Sequence, residues 1–344
     1  MSGDVRFAIH GGGYIAKIHA QAVADTAGAE LVAIAGRSGS ASELAKLASV
    51  PWLDGEEGLV AAAKRGEFDV AILCTPNTMH APVGLRLLDA GVHLLVEKPM
   101  TTSYADAKSL ADRARANKLH AATAHMWRVD QEATWLRDQV AAGAIGAVYR
   151  SRGCGVHTGW GPSGWFTEAK LAGGGAVADM GIHAIDTLRF VLGEPKALAV
   201  SARTARRFIS GDIEDTASIR IDWESGGWSE VEAGWWQPFA DGLESSLRLY
   251  GERGAATLFP TAVVKGAGGD AAETLAGPVV KKGDHCDPLI YAAQIAHMVA
   301  VVNGAPSLLD TCGPAAVAIM EAAYRSAASG KTEEVPSCGC HQSA

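Results

Sequence analysis

The chain has 344 residues, 48% of them hydrophobic and 20% charged, with a formal net charge of −8. A single core stops growing near ~250–300 residues, so this length predicts two domains. The acidic balance, with no cluster of lysines and arginines, excludes a nucleic-acid surface and points to a small-molecule partner.

The opening MSGDVRF lacks the apolar core of a signal peptide, and no segment approaches the ~18 consecutive apolar residues of a membrane span. A cytoplasmic protein without a membrane partner is the expectation. The cysteines (Cys74, Cys154, Cys286, Cys312, Cys338, Cys340) are scattered rather than spaced as a framework, so reduced thiols are expected.

In chain order, VRFAI reads as a buried strand, GGGYIAKIHAQAVAD as a turn into a helix, AELVAIAG as a strand and SASELAKLA as a helix. DVAILCTP and HLLVEKP are further strands separated by the helical APVGLRLLDAG; SYADAKSLADRARANK is another helix, and HAATAHMWR a strand leading out of the domain. Non-alternating strands, each followed by a helix, specify a parallel sheet covered on both faces. The expected division is a dinucleotide-binding domain over 1–124 and a second α/β domain over 125–344.

Beyond that boundary ALAVSARTAR, DTASIRIDW, WSEVEAGWW and SSLRLYG alternate as half-buried strands do and are joined by Gly-rich turns, which gives an antiparallel sheet. The helices AVADMGIHAIDTLRFVLG, PLIYAAQIAHMVAVVNG and GPAAVAIMEAAYRSAASG are expected to cover one face of it. The alternation of SIRIDWESGGWSEVEAGWW is read as placing large residues on both faces, so the other face should meet a second subunit in a homodimer or homotetramer.

HGGGYIA fits G-x-G-x-x-A directly after a strand and at the start of a helix, the context of a dinucleotide-binding fingerprint. Gly11 makes the tight turn, Gly13 lets the backbone approach a pyrophosphate, and Ala16 packs closely; Tyr14 and Ile15 lie between them at a helix N-terminus that faces the phosphates. The ends of later strands carry polar groups at the carboxyl edge, where open α/β sheets hold their ligands. CTPNTMH places Thr75, Pro76, Asn77 and His80 there, and VEKP places Glu97 and Lys98 there, with Pro99 stopping the strand.

In ADMGIHAID a helix would set Asp179, His183 and Asp186 on one face. A carboxylate one turn from an imidazole can fix its tautomer and raise its basicity, as acid–base catalysis requires. The glycines of LAGGG just upstream leave room for another group to approach the start of that helix. About 20 residues beyond the fingerprint an NAD-binding chain places a carboxylate on the ribose. Here VAIAGRSGSASE has none between Glu30 and Glu43; Gly36 ends the strand and Arg37 and Ser38 follow, which favours NADP over NAD.

These motifs in this order resemble the Gfo/Idh/MocA oxidoreductases, through GGGYIAKIH, CTPNTMH, VEKP, GGGAVADMGIHAIDTLRFVLG, LYGERG and EAAYRSAASG. The resemblance implies an N-terminal Rossmann domain, a C-terminal α/β domain with a large, mainly antiparallel open-faced sheet that often mediates oligomerisation, and NAD(P)-dependent chemistry on sugars, cyclitols and related polyols. It matches Lys98 to the family's EKP lysine and Asp179 and His183 to its D-x-x-x-H pair, with Asp186 behind them. Oxidising a secondary alcohol needs a base at the hydroxyl, assigned to His183, with Asp179 orienting it. Lys98 either hydrogen-bonds the reacting oxygen or relays its proton.

Substrate contacts are expected from His125, Trp127 and Arg128 of HMWR, from His157 and Trp165, and from Lys98, Asp179 and His183 themselves; Trp160, Trp235 and Trp236 add rings suited to a sugar's C–H face. Two rivals share the motifs: an NAD-dependent glycoside hydrolase that oxidises its substrate transiently, and a non-catalytic dinucleotide sensor. The tail residues Cys338, Cys340 and His341 lack a fourth ligand, so no metal is expected.

Overall fold

The computed structural model describes residues 3–239, 245–266, 272–280, 287–309 and 313–337. Its contacts divide the chain into two compact units, residues 1–129 with 282–314 and residues 130–281 with 315–344.

The first unit begins β1 (Val5–His10), α1 (Tyr14–Ala24), β2 (Ala29–Gly36), α2 (Gly39–Leu47), β3 (Trp52–Asp54), α3 (Gly55–Lys64) and β4 (Val70–Leu73). It continues with α4 (His80–Asp89), β5 (His93–Val96), α5 (Tyr104–Ala116) and β6 (Ala121–Thr123). All strand pairs are parallel and the order is β3-β2-β1-β4-β5-β6, the Rossmann order. The middles of the central strands are apolar because helices cover both faces: Phe7, Ile9, Ile72 and Leu95 have no exposed surface, while Arg6 near the start of β1 is half-buried and paired with Asp69. β3 and α3 are not among the elements expected from the sequence. The outgoing strand is shorter than expected, since β6 stops at Thr123 and Met126–Val129 forms a 3-10 turn.

The second unit contains α6 (Gln131–Ala141), β7 (Val148–Thr158), the short α7 (Ala169–Ala172), a π-helical turn at Val177–Gly181 and α8 (Ile182–Val191). The strands β8 (Ala197–Ala205), β9 (Thr216–Trp223), β10 (Trp228–Gln237), β11 (Leu247–Gly251), β12 (Gly254–Leu258), β13 (Ala262–Lys265) and β14 (Glu273–Ala276) follow. After α9 (Pro288–Val302) come α10 (Gly313–Ser329) and β15 (Glu333–Glu334). Among the described residues the sheet has nine strands, in the order β14-β13-β12-β11-β7-β10-β9-β8-β15. Its described pairs are antiparallel except β7 with β10, which is parallel.

Two expectations are corrected. α9 belongs to the first unit, where Tyr291, Ile295 and Met298 share a core with Ala16, Ala20 and Met126. Apolar residues all round a helix do not say which sheet it covers. The outward face of β9 and β10 is mainly polar: Ile219, Ile221, Trp223, Val231, Ala233 and Trp235 are buried, Ser218, Arg220, Glu230 and Glu232 are exposed, and among the large residues Trp228 lies half-buried on that outward side under the Arg220 guanidinium while Trp236 is exposed near the end of β10. Period-two alternation sorts these residues cleanly. Among the described residues no helix is long and apolar enough to cross a membrane.

Candidate functional site

The glycines of the first unit are set by what lies against them. Gly11 has φ 128°, and a Cβ there would sit 2.6 Å from the Cys74 carbonyl oxygen. One at Gly12 would sit 2.2 Å from the Ala41 nitrogen, so Gly12 admits the start of α2, a constraint the fingerprint reading did not include. A Cβ at Gly13 would meet no protein atom, and as the N-cap of α1 this glycine has no side chain of its own to offer the amides that follow. A helix start whose N-cap is glycine, with open space at the Gly13 Cβ position, suits the close approach of a pyrophosphate, so these residues fit a dinucleotide. Tyr14 is exposed, Ile15 half-buried and Ala16 buried against the sheet.

Beside them, Trp52 donates its indole N–H to the Gly36 carbonyl at 2.9 Å and fixes the end of β2. Arg37 lies exposed over Gly55, whose Cβ would come within 2.8 Å of its Nε. Ser38 caps α2, and its hydroxyl is 2.9 Å from that of Ser40.

At the carboxyl edge, Thr75 and Pro76 are half-buried and Asn77 is buried. His80 was expected at a cofactor, but its ring is fully buried. Nε2 lies 3.0 Å from the Thr75 carbonyl and Nδ1 3.1 Å from that of Pro99, so the ring braces the end of β4 against the turn after β5. Burial lowers its affinity for a proton despite those carbonyls and nearby Glu97. Burial, with His80 close by, also pushes His10 down to about 4.

Glu97 turns inward as well. Its Oε1 is 2.7 Å from Nε2 of His19 on α1, and its Oε2 accepts the Lys98 amide at 3.1 Å. Burial pushes this carboxyl up, but His19 and Lys98 outweigh it and hold it below the usual carboxylate range. The charges ending this apolar strand therefore divide: Glu97 anchors the turn to α1, and Lys98 stays half-exposed beyond it. Sequence reasoning missed His19, although a buried carboxylate requires such a partner. His125 and Arg128 are buried, and Trp127 packs against the first unit's core.

In the second unit, Asp179 lies in the π-helical turn and His183 in the first turn of α8, both buried. Single π turns recur at functional sites. Asp179 Oδ2 accepts the Trp235 indole N–H at 2.9 Å and stands 3.8 Å from His157 Nε2. The His157 ring packs against Trp160 at a tilt of 31° with centroids 3.6 Å apart, and Trp165 stacks on Phe166 at 4.0 Å. Asp186 is buried one turn beyond His183. The structure thus adds Trp235 as a partner of Asp179 and brings His157 to the same carboxylate. The tail carrying Cys338, Cys340 and His341 lies outside the described residues.

Comparison with known proteins decides the family. Residues 5–125 match a family model described as "Oxidoreductase family, NAD-binding Rossmann fold", and residues 134–257 match the GFO/IDH/MocA C-terminal domain. The D-glucoside 3-dehydrogenase of Escherichia coli K12 is 31% identical over 285 residues, covering 75% of this chain and 78% of that protein. The chain belongs to the GFO/IDH/MocA oxidoreductase family.

Another GFO/IDH/MocA relative, the inositol 2-dehydrogenase of Rhizobium meliloti, is 27% identical over 252 residues, covering 73% of this chain and 74% of its own. The fold is shared with GenD2 from gentamicin A biosynthesis, solved in complex with NAD, at a TM-score of 0.82, 24% identity and 98% coverage of both chains. As a GFO/IDH/MocA member the protein is an enzyme, an oxidoreductase with an NAD-binding Rossmann domain.

Proposed function

We propose that the enzyme moves hydride between a nicotinamide dinucleotide and a secondary hydroxyl or keto group of a sugar, cyclitol or glycoside, and acts in the cytoplasm. The observation that carries this reading is the buried acid–base group of the second unit, in which one carboxylate, Asp179, is held by Trp235 beside His157 and one turn before His183. The relatives named as glucoside and inositol dehydrogenases support the substrate class.

When bound, the nicotinamide accepts or returns the hydride. Gly11, Gly13 and the first amides of α1 would hold the pyrophosphate, with Thr75, Pro76 and Asn77 at the carboxyl edge. His183 takes the hydroxyl proton during oxidation and gives it back during reduction. Asp179 orients the imidazole and stabilises its protonated form. Lys98, placed by the inward anchor of Glu97, donates to the reacting oxygen and stabilises the negative charge that develops there. His157 and Trp165 contact the polyol.

The test is a panel of methyl glucosides, free hexoses and inositols with NAD and NADP, run on the wild type and on Lys98→Ala and His183→Ala. Each variant should lose ~100–10,000-fold in turnover while its dinucleotide Kd stays within a few fold. Wild-type turnover in both would refute the assignment. Release of aglycone without net reduction of cofactor would identify a glycoside hydrolase instead.

We further infer a preference for NADP, because Arg37, Ser38 and Ser40 gather at the end of β2 without a carboxylate of that segment. A hydrogen bond to a charged group contributes ~1.5–3 kcal/mol, which gives a ~10- to 150-fold ratio in kcat/KM that Arg37→Ala should abolish. Equal use of both cofactors by the wild type would overturn it. The interspersed Arg220, Glu230 and Glu232 of the outward sheet face suit a homodimer or homotetramer by charge complementarity; a monomer mass in light scattering at micromolar concentration would refute that.

A further inference from the structure

The helix that carries Asp179 and His183 begins against two groups that come from distant parts of the second unit. Glu214 stands just before β9, and Tyr324 lies on α10. The Gly175 amide donates to both oxygens of the Glu214 carboxylate at 3.1 Å, and the Val177 amide donates to Oε1 at 3.0 Å. The Ala176 amide donates to the Glu214 main-chain carbonyl at 3.0 Å. The Ala178 amide donates to the Tyr324 hydroxyl at 3.2 Å, and that hydroxyl donates in turn to Glu214 Oε1 at 2.9 Å. Four successive amides that an α or π turn cannot satisfy from within are thereby all paired.

The approach is close enough to dictate sequence. A Cβ at Gly174 would lie 2.0 Å from the Tyr324 hydroxyl oxygen, and one at Gly175 would lie 1.9 Å from the Glu214 carbonyl oxygen. These are the groups for which the run of glycines leaves room. The same dipeptide also holds the far side of Asp179: the carbonyl of Asp215 accepts the Trp235 amide at 2.8 Å, and the Trp235 indole donates to Asp179. Both the main chain under Asp179 and the donor on its carboxylate are referred to Glu214–Asp215.

We propose that Glu214 and Tyr324 are positioning residues for the reaction, a carboxylate–phenol pair that sets the place and rotation of Asp179 and His183 without touching substrate. This rests on the acid–base reading of those two residues. A cap with a purely structural role would lower stability and leave the site unchanged. A positioning pair alters the site in protein that remains folded.

The test uses Tyr324→Phe and Glu214→Gln in the full chain, with His183→Ala and the double variant His183→Ala/Tyr324→Phe beside them. Turnover is measured with methyl glucoside and with myo-inositol under saturating dinucleotide. The ring Cε1–H resonance of His183, assigned through His183→Asn, is followed by NMR without substrate. The expected result is a moved or broadened His183 resonance and a kcat lowered about 10- to 100-fold in Tyr324→Phe, which still unfolds in one cooperative transition, at a lower temperature because two buried groups lose their partner, and keeps its dinucleotide Kd. In the His183→Ala background Tyr324→Phe should cost nothing further, because the two act as one unit. If Glu214→Gln does not fold, Tyr324→Phe decides alone. An unchanged His183 resonance, or a lowered melting temperature with kcat intact, overturns the proposal. Wild-type turnover in His183→Ala instead sinks the acid–base reading beneath it, a separate outcome.

Discussion

Replacing His19 by Phe keeps a ring edge-on to Tyr291, whose centroid is 5.2 Å away, but removes the group that meets Glu97 at 2.7 Å. Both side chains of the pair are buried, with 0% and 9% exposed. Breaking a buried pair from one side costs about 3–5 kcal/mol, because the charge left behind has lost its partner and not regained water. The pH dependence follows from the directions of shift. In the wild type Glu97 is held below its unfolded value, so its contribution is fully present above that unfolded value, ~4.3, and is lost as pH falls through the folded one. Without His19 the largest remaining influence is burial, which raises the carboxyl. The penalty in His19→Phe is then full at pH 7.5 and shrinks toward pH 5, as Glu97 enters the folded state protonated. Urea unfolding of both proteins, followed by circular dichroism at the two pH values, measures this. A loss below ~1 kcal/mol at pH 7.5, or one equal at both pH values, would refute the reasoning.

Gly12→Val drives a side chain into the Ala41 nitrogen, 2.2 Å from the Cβ position, and should weaken dinucleotide binding more than tenfold in a fluorescence titration; unchanged affinity would mean that α2 gives way freely. Trp235→Phe removes the N–H that Asp179 accepts, a charge-assisted bond of ~1.5–3 kcal/mol, and should lower kcat/KM by ~10- to 150-fold; a wild-type value refutes the role given to that bond. His10, pushed down to about 4, should show no titration between pH 5 and 8 by NMR. Because its folded value lies below the unfolded ~6.5, it should favour folding fully above pH 6.5 and lose that advantage as pH falls toward 4.

Much of this was legible in the sequence because the physics is local. VRFAI and DVAILCTP carry near-continuous apolar runs without period-two alternation, as a sheet covered on both sides requires, and HGGGYIA needs nothing beyond its neighbours to define a turn into a helix. What stayed hidden depends on contacts between distant residues. Glu97 and Lys98 are adjacent in sequence, yet Glu97 is paired with a residue on α1 and Lys98 is not drawn in with it. LAGGG showed that something approaches closely, but not that it is Glu214 and Tyr324, which lie 39 and 146 or more residues away. α9 could not be placed because its composition suits either core, and His80 read as a ligand contact because a polar residue at a strand end does not reveal which carbonyls it will meet.

In the nine-stranded sheet, β7 and β10 run side by side in the same direction, with Gly234 opposite Val156 and Gln237 opposite Thr158. An antiparallel neighbour would have carried its last residues to the opposite rim. Because this pair is parallel, both strands finish at the same rim, and each delivers one side chain to Asp179: His157 from the end of β7 and Trp235 from the end of β10. One seam of a mainly antiparallel sheet thus repeats the rule that governs the whole Rossmann sheet, with chemistry gathered where parallel strands stop. Changes to the hairpins at the other rim can vary length and sequence without disturbing that convergence, whereas a one-residue slip along the β7–β10 seam would turn His157 and Trp235 to the opposite faces of the sheet.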